Sequence, residues 1–293
     1  MAASNFAPAL ACVLVHEGGK DDDPRDPGGR TAYGVTQARY NQFRRANNLP
    51  QRDVWDITPD ERTAIYKAYY WDVIQGDLLP AGLDYCVFDG AVNSGPAQAA
   101  KWLQRAVNDM RRAMGDPPIA VDGLIGDGTI EAVKAIEDQD QLIGLIQKRR
   151  LAMLRNLKTW DVFGRGWGRR VAEVQAAAQA VARGSVEIKP GATWTAAAGK
   201  AMLSDAKPLP SPNKGAIASA AGTVMSASSA LAPALEPAQG LSPTLDGVLH
   251  ALIIIGAIAA AVGAAWAIYA NRQAKARADA LDIAIPEPVP VTA

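Results

Sequence analysis

Over the first 184 residues the apolar side chains recur at intervals of three and four, and nowhere do they alternate over a useful length. That is the pattern of helices burying one face, so the chain is expected to be all-α. The clearest case is Leu10, Val13, Leu14 and Glu17, at i, i+3, i+4 and i+7, which sets a carboxylate on the same face as buried side chains. Gly18 and Gly19 follow and end the helix, leaving Glu17 in its last turn near the negative end of the dipole. Burial and the dipole both push a carboxyl pKa upward, and a carboxylic acid protonated near neutral pH is what a general acid requires. Taken alone, Glu17 could equally be a surface residue at a frayed helix end.

The residues after it are polar and rich in glycine: Asp21, Asp22, Asp23 and Asp26, then Gly28, Gly29 and Thr31, then Tyr33, Gly34 and Thr36. Glycines there permit tight turns and close approach of backbone to a ligand. The acids could form a solvated face or a calcium loop, but no Glu closes the twelve-residue frame of an EF-hand. The two cysteines and two histidines have no zinc-site spacing, and Cys12 and Cys86 read as buried thiols, so neither metal nor cofactor is expected. A formal net charge of +0 gives no basic stripe for nucleic acid.

Residues 1–96 read as a compact helical domain, in which Thr58-Pro59-Asp60-Glu61 starts a helix and Tyr66, Tyr69, Tyr70 and Trp71 concentrate aromatic surface. Such a cluster serves a core or a sugar-binding platform. Residues 97–184 form a second helical unit. From 185 to 246 seven prolines, with many Ala, Ser and Gly, describe a disordered linker that cannot bury a core. Between Gly247 and Asn271 no Asp, Glu, Lys or Arg occurs, which is enough to cross a hydrocarbon core of about 30 Å as one transmembrane helix, with 272–293 as a short tail. A buried hairpin helix is the alternative. Arg272, Lys275 and Arg277 follow the run, so the positive-inside rule sets the tail in the cytoplasm and the helical domains toward the periplasm and wall. The amino terminus lacks a cleavable signal peptide, so export requires either the span itself or a holin-like pore as partner.

The segment HEGGKDDDPRDPGGRTAYGVT, from His16 to Thr36, resembles the signature of glycoside hydrolase family 108, the endolysin-like, secretion-activator type of muramidase. YYWD at 69–72 and the run holding Asp89, Asn93 and Gly95 resemble later motifs of that family. DGLIGDGT at 122–129 and GWGRR at 166–170 are similar to the predicted peptidoglycan-binding domain that often follows it. The resemblance covers about the first 185 residues. It implies a lysozyme-like helical fold and cleavage of peptidoglycan between N-acetylmuramic acid and N-acetylglucosamine, with Glu17 as the catalytic glutamate. Lys20 departs from the pattern, which commonly has an aromatic there. Phage-type lysozymes place an Asp after eight intervening residues and a Thr after five more. Glu17 and Asp26 share the first gap, with Thr31 one residue early, so Asp26 and Thr31 are candidates to position a water, and Asp26 is equally a turn residue. Tyr33, Tyr70, Trp71 and Asn93 are the candidate sugar contacts. A lytic transglycosylase, or a non-catalytic membrane-tethered wall-binding anchor, would fit the same motifs.

Overall fold

The structure is a computed structural model and describes residues 5–22, 30–184, 187–197, 199–209 and 243–281, without the side chains of 243–257, 259 and 260. Helix α1 (Phe6–Glu17) leads into three two-residue strands, β1 (Lys20–Asp21), β2 (Thr31–Ala32) and β3 (Val35–Thr36). These pair antiparallel in the order β1-β2-β3, with Lys20 opposite Ala32 and Thr31 opposite Thr36. The chain is mostly helical as expected, and this sheet is the departure from an all-α reading. Strands of two residues are too short to leave an alternating pattern.

Helices α2 (Gln37–Ala46) and α3 (Pro59–Tyr66) follow. Thr36 caps α2 by accepting from the Arg39 N–H at 3.2 Å. A full capping box starts α3, with Thr58 Oγ1 accepting from the Glu61 N–H and the Glu61 carboxylate accepting from the Thr58 N–H. A π-helical turn, Lys67–Trp71, then carries the aromatic cluster.

Helix α4 (Leu83–Ser94) spreads apolar side chains around most of its circumference, and such a helix must be enclosed. All of its residues are buried. Helices α1, α5 (Pro96–Met114), α7 (Gln139–Arg155) and α8 (Trp160–Ala182) pack around it, with the short α6 (Asp127–Lys134) against α5. Only Gly95 separates α4 from α5, at a φ of 91° that favours glycine. The expected boundary near residue 96 is therefore a tight corner inside one core, and Met1–Ala206 forms one compact unit. Residues 187–197 and 199–206 belong to that unit, although their composition reads as linker. Ile188, Ala197 and Ala201 are buried, and Leu157 bridges to Ala206.

Lys207–Ala293 forms a second unit, whose described helix is α9 (Pro243–Leu281). The span expected over 247–271 falls on it, and its side chains up to 257, with 259 and 260, lie outside the described residues. Among the described residues no helix is long and apolar enough to cross a membrane, because the part whose side chains are described soon reaches Arg272, Lys275, Arg277 and Asp279. The membrane and the holin-like partner thus keep only the amino-acid pattern behind them.

Candidate active site

The last turn of α1 delivers Glu17, and Gly18, at φ 74°, turns the chain away immediately afterwards. The Glu17 side chain is only 5% exposed. The β2–β3 turn brings Gly34 against it, also in the left-handed region at φ 76°. A methyl group at residue 34 would overlap the Glu17 carboxylate and the Tyr66 hydroxyl, so the glycine of the YGVT motif is required by proximity as well as by conformation. Tyr66 is buried and donates its hydroxyl proton to the Tyr33 carbonyl at 2.8 Å, which locks that turn over the carboxylate. Gly34→Ala is expected to destabilise the unit by at least ~1 kcal/mol. The melting temperature of the variant checks this.

Two positive charges hold the carboxylate. Arg170, from α8, donates Nη1 to Glu17 Oε1 at 2.8 Å, and its Nε and Nη2 lie 2.9–3.1 Å from the oxygens of Asp89 on α4. Arg150, from α7, approaches Asp89 Oδ1 at 2.7 Å and donates to Asn93 Oδ1 at 3.2 Å. Glu17, Arg170, Asp89 and Arg150 form a chain of alternating charge tying α1, α4, α7 and α8 together, with Arg170, Asp89 and Arg150 at 1% exposure or less. Lys200 is the second cation on Glu17. Its Nζ lies 2.5 Å from Oε2 and donates to the Val92 carbonyl at 3.0 Å.

These charges reverse the pKa direction expected for Glu17. Burial alone raises it, but Lys200 and Arg170 outweigh burial and hold the carboxyl below its ordinary value. Asp89 is likewise held far down, with Arg170 and Arg150 overcoming its burial. His16, next to Glu17, is buried and held below its ordinary value mainly by that burial. The Cys12 and Cys86 thiols are free, buried and pushed up to about 12 by burial, as inert core thiols are.

The other candidates divide. Asp26 lies outside the described residues. Thr31 sits half-buried in β2, its carbonyl accepting from Trp55 Nε1 at 3.1 Å. Tyr33 is half-buried at φ 50° beneath the Arg62 guanidinium, and Tyr70 is half-buried against the Tyr66 ring at 5.5 Å. Both border the carboxylate's surroundings. Trp71 does not: it is 0% exposed, wedged between Phe6 and Phe88 with Nε1 on Asp77, so it is a core residue. Asn93 is buried and serves the ion network. Lys20, where an aromatic is common, lies 5.9 Å from the Trp55 ring centre. Sequence reasoning missed the roles of Arg170 and Arg150. Arg170 stood in view within GWGRR, but a pairing across 153 positions leaves no local pattern. Lys200 carried no signal at all.

Residues 10–95 match the family model described as Glycosyl hydrolase 108, and residues 98–172 match the one described as Predicted Peptidoglycan domain. The chain is similar to the solved structure of Brucella abortus SagA, at 37% identity and a TM-score of 0.53, over 62% of this chain and 98% of that one. No curated protein matches.

Proposed function

The chain belongs to the glycosyl hydrolase 108 family and is a glycoside hydrolase acting on peptidoglycan, and from that premise we propose that it cleaves the bond between N-acetylmuramic acid and N-acetylglucosamine with Glu17 as general acid. The observation that supports this reading is the setting of Glu17. It is a buried carboxyl at a helix end, oriented by one arginine and covered by the glycine turn of the signature motif. A protonated Glu17 donates to the leaving glycosidic oxygen, and Arg170 stabilises the carboxylate left behind. Asp26 with Thr31 would orient a water on the opposite face for an inverting displacement. As the enzyme is a hydrolase, the non-catalytic anchor is set aside.

One observation keeps the lytic transglycosylase in play. Asp89, the other carboxylate of the described network, is bound on both oxygens by arginines and cannot activate water. Without a contribution from Asp26, the chemistry would run on Glu17 alone and close the muramic ring on itself. The masses of muropeptides released from purified sacculi decide this. Hydrolysis leaves reducing, water-added ends, and anhydro ends throughout would contradict the muramidase reading.

A further inference from the structure

Both oxygens of the Glu17 carboxylate are engaged, Oε1 by Arg170 and Oε2 by Lys200. A general acid needs one oxygen free to carry a proton toward the glycosidic bond. Arg170 is buried in the core and tied to Asp89, whereas Lys200 has a side chain 33% exposed and comes from the segment after α8. The charge count separates them further. Glu17 and Asp89 balance Arg150 and Arg170, so Lys200 is a surplus cation whose departure leaves the buried cluster neutral.

The segment carrying Lys200 is fastened across the ends of two helices. The Ala197 N–H donates to the His16 carbonyl at 2.8 Å and the Ala201 N–H to the Asn93 carbonyl at 3.0 Å. With Lys200 on Val92, these are carbonyls from the last turns of α1 and α4, which lack partners within their own helices. The Trp194 ring stacks on His16 at 5.1 Å, Trp167 Nε1 donates to the Gly199 carbonyl at 3.0 Å, and Ala196 lies against Gly18. The far end is pinned where the Lys158 N–H donates to Asp205. Amide N–H groups and an ammonium thus occupy acceptors that surround Glu17, which is where an acetamido-bearing glycan has to lie for Glu17 to reach its glycosidic oxygen.

We propose that residues 194–197 and 199–205 serve as an intramolecular strap that holds the enzyme shut, with Lys200 as its latch on Glu17, and that it must lift before a glycan strand can enter. This rests on the reading of Glu17 as the general acid. Its anchors are a few hydrogen bonds, one stacked ring and small buried alanines, enough to hold a segment yet weak enough to be displaced by a polymer that makes the same contacts. Lifting also removes one of the two cations that keep the Glu17 carboxyl low.

The test uses the full chain with Lys200→Met, which keeps the stem and removes the ammonium, and Trp194→Ala, which loosens the strap without touching Glu17. Two readouts are followed, initial rate on purified sacculi and amide exchange at Ala197 and Ala201. Lys200→Met is expected to hydrolyse about tenfold faster than the parent, the loss of one charge-assisted hydrogen bond setting that scale, and Trp194→Ala, which loses a stacked ring, is also expected to be faster, with faster exchange at both amides in each. An unchanged or lower rate in both variants while the amides exchange faster, with the parent active, would overturn the strap and leave the muramidase reading standing. No hydrolysis by any of the three chains would remove the muramidase reading and the strap that rests on it, whatever the exchange rates.

Discussion

Replacing Asp89 with alanine is expected to lower the stability of the 1–206 unit by ~3–5 kcal/mol, because it strands two arginines in the core. Asp89 is 0% exposed and receives Arg150 and Arg170 on its two oxygens, and neither guanidinium can move to water without breaking helix packing. At ~2–4 °C per kcal/mol for a unit of this size, the melting temperature should fall by about 10 °C. Thermal unfolding followed by far-UV circular dichroism checks it, and a shift under ~1 °C would mean that the ion network carries little of the stability.

The same network sets the acid limit of the fold. Asp89 and Glu17 have folded pKa values below their unfolded ones, so they contribute stability that is present above pH ~4 and lost as pH falls through the folded values. Glu61, low through the Thr58 N–H and its contacts with Tyr40 and Arg52 despite its burial, adds in the same direction. Asp84 acts oppositely. Burial pushes it up to about 6 against the Asn5 hydrogen bond, so its contribution favours the fold below pH ~4 and is lost as pH rises toward 6.

How much of this was legible beforehand depends on the range over which each cause acts. The end of α1 at Gly18, the capping box at Thr58, the Thr36 cap and the two buried thiols are local facts, fixed by a residue and its near neighbours, and they stand in the sequence. Glu17 was legible in the same way, from a helical face ended by glycines. Its pKa direction was not, because the deciding charges come from 153 and 183 positions away. Trp71 failed as a sugar platform because aromatic clustering alone cannot tell a core from a cleft, and Phe6 with Phe88 closes the ring in. The strap is the largest gap. Composition describes how much core a segment can build, and this one builds none, yet small residues such as Ala197 and Ala201 fit closely onto helix ends that others provide.

The second large effect belongs to Glu17 itself. Glutamine has its shape and can still accept from Arg170, but it cannot give a proton to a leaving oxygen, so Glu17→Gln is expected to cost about 10³-fold in the rate of peptidoglycan hydrolysis. To keep the strap from masking the loss, the substitution is compared with its parent in both the native chain and the Lys200→Met chain, each with its fold verified by circular dichroism. The most direct measurement is the initial rate at which Glu17→Gln, folded and with Lys200→Met, releases soluble muropeptides from purified sacculi. A rate reduced to background beside an active Lys200→Met parent is the predicted result, and release at the parent's rate would contradict the role of Glu17 as general acid.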